Sequence, residues 1–259
     1  MRTNMNYGFI GFGHLAKAIY NGLANQSGIS FAYTSKSNSH TEIPSFSNLS
    51  ELVDFSDVIC LCVKPQDLPD ILAELKEIPL QNKVILSPVA GKNTSFIESY
   101  LGKNVPIVRI MPNLAIAYKK SVTAFFTKDP QSPLITKIKD HFSLLGRVVE
   151  LPEERFHLFT AIFGSGPAFL LAMLEPLKNK IRGLNISDKE ANELLAELVA
   201  GTLTYFQENH ARNSIEDLIK AITSKGGTTE AGLAFFKDKN LDKLIGDVIL
   251  AAEKRSEKM

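Results

Sequence analysis

Cysteine is nearly absent from this chain: two occur in 259 residues, Cys60 and Cys62. Both sit in the apolar run Asp57-Val58-Ile59-Cys60-Leu61-Cys62-Val63, which reads as a buried strand where they act as small apolar side chains. Positions i and i+2 of one strand are poor disulfide partners, and a metal site needs more ligands than these two. Reduced thiols and an intracellular protein are the expectation. Net charge is equally scarce, at +1, so no strong field draws in nucleic acid or an anionic membrane. No run approaches the roughly 18 apolar residues that span a bilayer. The N-terminus lacks the apolar core of a signal peptide, which makes the cytoplasm the expected compartment. The five histidines, His14, His40, His141, His157 and His210, show no metal-ligand spacing, so no metal is expected. Repeats, low-complexity tracts and flexible linkers are also missing.

The rest is ordinary globular composition, 44% hydrophobic and 22% charged, in a chain long enough for one large domain or two smaller ones. The first half alternates short apolar runs with helical patterns. Strands are expected at Tyr7 to Ile10, Ile29 to Tyr33, Val58 to Val63, Val84 to Ser87, Val105 to Ile110, Ser121 to Phe126 and Arg147 to Leu151. Helices are expected at His14 to Ala24, where Leu15, Ala18, Ile19 and Leu23 share a face, and at Leu49 to Phe55, Leu68 to Leu75, Thr94 to Leu101 and Pro133 to Leu145. Such alternation predicts a mainly parallel, doubly wound sheet. After Glu153 the texture becomes helical throughout, with Phe156 to Leu177 read as one long apolar helix. The expected division is an α/β domain over residues 1–152 and an all-α domain over residues 153–259.

Two glycine segments carry chemistry. The first strand runs into Gly11-Phe12-Gly13-His14-Leu15-Ala16, a Gly-x-Gly-x-x-Ala turn that opens a helix. That is the context a dinucleotide pyrophosphate requires: a tight turn, close backbone approach, and close helix packing at the small third residue. His14 lies inside this turn, within reach of phosphate. The second strand ends in Tyr33-Thr34-Ser35-Lys36-Ser37-Asn38, without the carboxylate that would bind a ribose 2′-hydroxyl. Hydroxyls and a cation suit a 2′-phosphate, so NADP(H) is favoured, with NAD(H) the other candidate. The second segment, Thr223-Ser224-Lys225-Gly226-Gly227-Thr228-Thr229-Glu230, builds a hydroxyl-lined helix start. Unpartnered backbone N–H groups and the helix dipole make such a start a site for a small carboxylate.

Five segments in order strongly resemble the pyrroline-5-carboxylate reductase family, which makes proline in the last step of its biosynthesis: Gly11 to Ala16, Val63-Lys64-Pro65-Gln66, Val108-Arg109-Ile110-Met111-Pro112-Asn113, Phe163-Gly164-Ser165-Gly166-Pro167-Ala168-Phe169, and Thr223 to Leu233. The resemblance covers nearly the whole chain. It implies a Rossmann-like N-terminal domain and an all-α C-terminal dimerisation domain, an interlocked homodimer whose partner contributes to the site, and in some members larger rings of dimers.

By the same resemblance, Gly11, Phe12, Gly13, His14, Leu15 and Ala16 hold the pyrophosphate. Ser35 and Lys36 face the adenosine phosphate, Asn48 reaches the adenosine ribose, and Val63, Lys64 and Pro65 line the coenzyme. Ala90, Gly91 and Asn113 border the nicotinamide. Ser224, Gly226, Gly227, Thr228 and Thr229 bind a cyclic imino acid, with the Thr229 hydroxyl, the candidate catalytic group, bonded to the ring nitrogen. The chain departs from the family pattern at Lys225, where proline is usual, at Leu114, where threonine is usual, and at Lys119-Lys120, where a glycine turn is usual. These departures leave two alternatives beside the family's reaction: a paralogue acting on another imino or keto acid, and an NADP-binding protein without turnover.

Overall fold

The computed structural model describes residues 4–36 and 42–259. Ser37, Asn38 and His40 lie outside the described residues. The chain divides into two compact units, Met1–Ser165 with Leu250–Met259, and Gly166–Ile249.

The first unit runs β1 (Met5–Ile10), α1 (His14–Leu23), β2 (Ile29–Thr34), α2 (Leu49–Phe55), β3 (Val58–Leu61), α3 (Leu68–Lys76), β4 (Val84–Ser87), α4 (Thr94–Leu101), β5 (Ile107–Met111), β6 (Ser121–Thr127), α5 (Pro133–Ser143) and β7 (Gly146–Glu150). The sheet order is β2-β1-β3-β4-β5-β6-β7, parallel throughout except where β6 runs against β5. Alternation along the strands supplies both cores. Tyr7, Phe9, Phe31, Val58, Cys60 and Leu86 point to one face, covered by Ile19 and Leu23 of α1 and Ile138 and Phe142 of α5. Ile10, Ala32, Ile59, Leu61 and Ile85 point to the other, covered by Leu52 of α2, Leu72 of α3 and Ile97 of α4. Strands buried on both faces explain why their sequences read as continuous apolar runs.

Desolvation holds Cys60 well above the ordinary thiol range and pushes Cys62 up to about 12. The phenol of Tyr7, raised by desolvation and by Cys60, lies 2.9 Å from Nδ1 of His141. Desolvation lowers the His141 pKa, with Asp140 opposing and Lys137 assisting. Protonation of His141 therefore favours the unfolded chain. Its contribution is fully present above the unfolded value, about 6.5, and is lost as pH falls toward the depressed folded value. Urea midpoints should drop as pH falls below about 6.5, and His141→Gln should flatten that part of the profile.

Where a glycine turn was expected, Lys119 itself takes the left-handed conformation, φ 57° and ψ 33°, and ends a 3₁₀ turn over Leu114–Tyr118. A side chain with a Cβ costs about 1–2 kcal/mol there. After allowing for the extra freedom of glycine in the unfolded chain, Lys119→Gly should raise stability by about 0.5–1 kcal/mol, read as a higher denaturant midpoint at unchanged slope.

The expected long helix from Phe156 is interrupted. A short α6 (Phe156–Phe159) leads into a π turn over Thr160–Gly164, and α7 (Gly166–Ile181) starts with Pro167 in its first turn. Proline is suited to that position and cannot continue the preceding helical bonding. The segment Gly164-Ser165-Gly166-Pro167 is thus a helix start. Taken together, Glu153–Leu184 is a helical run long and apolar enough to cross a membrane by length and composition, so the expectation that no run approaches such a span does not hold. The polar and small residues scattered through it kept the run from counting as an uninterrupted apolar stretch.

The second unit contains α7, α8 (Asp188–Asn209), α9 (Ile215–Ile222), α10 (Thr228–Asp238) and the start of α11 (Leu241–Glu257). Ser187 caps α8, accepting from the Glu190 N–H, and a reciprocal Ser214–Asp217 capping box starts α9. Between 166 and 249 only Ala191, Leu195 and Leu218 are buried apolar residues. Leu170, Leu171, Leu198, Leu203 and Phe235 are among many large apolar side chains left exposed.

Candidate active site

The first glycine segment forms where three parallel strands end side by side. Gly11 donates its N–H to the Thr34 carbonyl at 2.8 Å, and Cys62 donates to the Ile10 carbonyl at 2.8 Å, so the tips of β2, β1 and β3 are stitched together. Gly11 adopts φ +83°, and a Cβ there would lie 2.6 Å from the Cys62 carbonyl oxygen. Both facts demand glycine. Gly13 differs: nothing lies within 4 Å of where its Cβ would point, which leaves the backbone open to a ligand. Gly13 is the N-cap of α1, and Lys17 makes the helix's first bond back to it at 3.0 Å. The N–H groups of His14, Leu15 and Ala16 therefore have no intrahelical acceptor, and the positive end of the helix dipole stands behind them.

A cleft of about 650 Å³ opens at this point, lined by Gly11, Phe12, Gly13, Ser35, Lys36, Asn48, Val63 and Lys64 together with residues not assigned to the site from the sequence, Thr34, Ser47, Cys62, Asp67 and Glu74 among them. It lies where the strand order reverses between β2-β1 and β3-β4, the position at which open α/β sheets bind ligands. Lys36 and Lys64 bring cations to it, and Asp67 and Glu74 bring acids to its α3 side. Asn48 accepts the Glu51 N–H through Oδ1 at 2.9 Å and so caps α2 while it borders the cleft. Pro65 does not line the cleft. It occupies the second place of the turn closed by the Asp67 N–H to the Lys64 carbonyl at 3.0 Å, a place suited to its fixed φ. Asp67 and Glu74 could have been found only by placing α3 beside the cleft, since neither belongs to a motif.

His14, Leu15 and Ala16 do not line the cleft. Ala16 is fully buried and packs helix against sheet, while His14 is exposed at the helix start. Ala90, Gly91 and Asn113 follow β4 and β5, outside the cleft. A Cβ on Gly91 would lie 2.5 Å from the Cβ of Met259 and 3.0 Å from the Ser256 carbonyl oxygen, so the last turn of α11 packs directly on it. Ser256 is buried there and bonds Nδ1 of His157 at 3.0 Å. Arg109, a residue with no chemistry assigned from its motif, is 2% exposed and bonds Oε1 of Glu153 at 3.1 Å, with its guanidinium over the Phe156 ring. Glu153 also accepts from the N–H and hydroxyl of Thr94 at 2.7 and 2.8 Å.

In the helical unit, Ser224 to Gly227 forms a turn closed by the Gly227 N–H to the Ser224 carbonyl at 3.0 Å, with Gly226 at φ +72° in its third place. The Glu230 carboxylate holds the Gly226 N–H at 2.6 Å. The Ser224 hydroxyl lies 2.3 Å from where a Cβ on Gly227 would sit, so only glycine lets it tuck against the helix start. Gly227 is the N-cap of α10 and no side chain caps it, which leaves the Thr228 and Thr229 N–H groups free of intrahelical acceptors. The turn thus gathers hydroxyls and N–H donors, with the exposed Lys225 beside them. Among the described residues no group of three or more His, Cys, Asp or Glu is placed to hold a metal ion.

Comparison with known proteins agrees with this geometry. Residues 153–259 match the family model described as pyrroline-5-carboxylate reductase dimerisation, and residues 6–91 match one described as NADP oxidoreductase coenzyme F420-dependent. The chain is 32% identical to the pyrroline-5-carboxylate reductase of Staphylococcus epidermidis over 96% of its own length and 95% of that protein. It is 29% identical to pyrroline-5-carboxylate reductase 2 of Bacillus subtilis, covering 96% and 93% of the two chains. The crystal structure of Plasmodium falciparum pyrroline carboxylate reductase with NADP bound superposes with a TM-score of 0.92 at 25% identity, covering 100% of this chain and 99% of that one. With a relative this similar along nearly its full length, a nucleotide cleft at the sheet's switch point and a helical half matched as a dimerisation domain, the chain belongs to the pyrroline-5-carboxylate reductase family.

Proposed function

We propose that this protein reduces 1-pyrroline-5-carboxylate to L-proline with NADPH. The observation that carries the proposal is the cleft at Gly11 and Gly13, where a glycine without neighbours, a free helix start and two lysines converge. These residues fit the coenzyme. The N–H groups of Gly13 to Ala16 receive the pyrophosphate. Ser35 and Lys36 take the adenosine phosphate, Asn48 the ribose, and Val63 and Lys64 the middle of the molecule. Ala90 and Gly91 flank the nicotinamide end. When bound, NADPH supplies the hydride.

The chain's own residues orient the imine. Ser224, Gly226, Gly227 and Thr228 hold its carboxylate, and the Thr229 hydroxyl bonds the ring nitrogen. The imine takes its proton from water, so no strong acid is required. Positioning and electrostatics account for the acceleration. Residues 1–152 serve the coenzyme; residues 153–259 serve the substrate and dimerisation. The exposed leucines of α7 and α8 are buried against a second copy in a homodimer, which can assemble into larger oligomers. The protein works in the cytoplasm.

The test is NADPH oxidation with and without pyrroline-5-carboxylate, followed by product identification. Thr229→Ala should lower kcat roughly 100-fold, the scale of losing one donor to a developing charge. Its NADPH Kd should stay within about twofold, because the lost bond is made only to substrate. Unchanged turnover would remove Thr229 from its role.

A further inference from the structure

The carbonyl of Phe163 lies in the π turn just before α7. In regular helix it would accept from the N–H four residues on, but that residue is Pro167, which has none. The side chain of Asn113, which follows β5, supplies a donor instead: Nδ2 reaches the Phe163 oxygen at 2.8 Å. The amide orientation is fixed by its neighbours. Oδ1 accepts the Ala115 N–H at 3.0 Å, and the Phe163 carbonyl can only accept, so a flipped amide would lose both bonds. The Asn113 N–H is engaged as well, to the Ser121 hydroxyl at 3.3 Å. The π turn closes by the Ser165 N–H to the Thr160 carbonyl at 2.9 Å, and the nearest neighbours of Gly164 include the sulfur of Met111 at the end of β5. π turns concentrate at functional sites because they shift the helix register by one residue.

We propose that Asn113 is a positioning residue that holds the Thr160–Gly164 turn through the carbonyl orphaned by Pro167, and that it acts on the reaction through that turn without touching the nicotinamide. The proposal rests on the reductase reading for its kinetic consequences, though the Asn113–Phe163–Pro167 linkage stands on the geometry alone. It assigns two roles to one side chain: Oδ1 starts the 3₁₀ turn over Leu114–Tyr118, and Nδ2 secures a backbone group 50 positions later.

The experiment is a double-mutant cycle of Asn113→Ser and Pro167→Ala in the full-length protein. Serine keeps a capping oxygen for Ala115 but is too short to reach Phe163. Alanine at 167 restores the backbone donor. Asn113→Ser should lower kcat about tenfold in the otherwise unaltered protein and less than about threefold in the Pro167→Ala background, because only the former leaves the carbonyl unpaired. The NADPH Kd, measured by fluorescence titration, should stay within about twofold in all four proteins. Equal losses in both backgrounds overturn the proposal, as does a rise in NADPH Kd that matches the loss in kcat. The latter outcome marks a direct nicotinamide contact. If the unaltered protein oxidises no NADPH on the pyrroline substrate, the reductase reading fails. The linkage is then judged by urea midpoints, which should fall more for Asn113→Ser alone than in the Pro167→Ala background. If Asn113→Ser does not fold, recovery of the fold in the double variant supports the linkage, and failure of both overturns it.

Discussion

Replacing Glu153 with alanine should cost the protein about 3–5 kcal/mol of folding stability, the usual consequence of removing one partner from a buried ion pair. The Arg109 side chain is 2% exposed and Glu153 16% exposed, so water cannot substitute for the lost carboxylate. Desolvation already lowers the Arg109 pKa, and Glu153, by charge and by hydrogen bond, is the group that opposes this. The Nε of Arg109 is buried without a partner even with Glu153 present, so part of the guanidinium is already unsatisfied. The same carboxylate holds both donors of Thr94 at the start of α4. One substitution therefore releases β5, α4 and the chain entering α6 together. The double variant Glu153→Ala with Arg109→Met should recover part of the loss, since an apolar pair leaves no charge stranded. Denaturant unfolding measures both, and a Glu153→Ala loss below about 1 kcal/mol would falsify the account.

Gly11→Ala should weaken NADPH binding by at least about 30-fold, equivalent to about 2 kcal/mol. The new methyl meets the Cys62 carbonyl oxygen at 2.6 Å and the Val63 side chain at 3.1 Å, and the backbone must still hold φ +83°. Relief can come only by moving the end of β3, which carries Val63 and Lys64 into the cleft, or by unwinding the turn that starts α1. Gly13→Ala is the informative companion. Its methyl meets no protein atom, so folding stability should be unchanged while the coenzyme is obstructed. Titration of NADPH fluorescence, with thermal melts of both variants, separates the two effects. If Gly13→Ala binds NADPH normally, the pyrophosphate does not lie over that residue.

The sheet was largely legible because its strands are buried on both faces and therefore announce themselves as short apolar runs. The expected strand at Val84 to Ser87 and the expected helices at Leu49 to Phe55 and Thr94 to Leu101 have those bounds in the structure. The first glycine turn was equally legible, since its two demands, left-handed φ at Gly11 and open space at Gly13, leave few residue choices. What escaped was set by partners distant in sequence. The π turn at Thr160–Gly164 accepts a hydrogen bond from a side chain 50 residues earlier. Apolar spacing continues straight through it, so periodicity alone reads one helix. Lys119 escaped because nothing in a lysine advertises left-handed backbone. Arg109 drew no assigned role, since its partner Glu153 lies on another element. Asp67 and Glu74 enter the cleft only once α3 is folded beside β3.

The near absence of an interior between residues 166 and 249 also bears on how this protein should respond to dilution. Helices that expose leucine on most sides do not repay the entropy of ordering themselves as single copies. If their folding is completed by a second copy, stability becomes a mass-action quantity. The melting temperature should then climb with protein concentration, and very dilute samples should lose the helical half before the sheet.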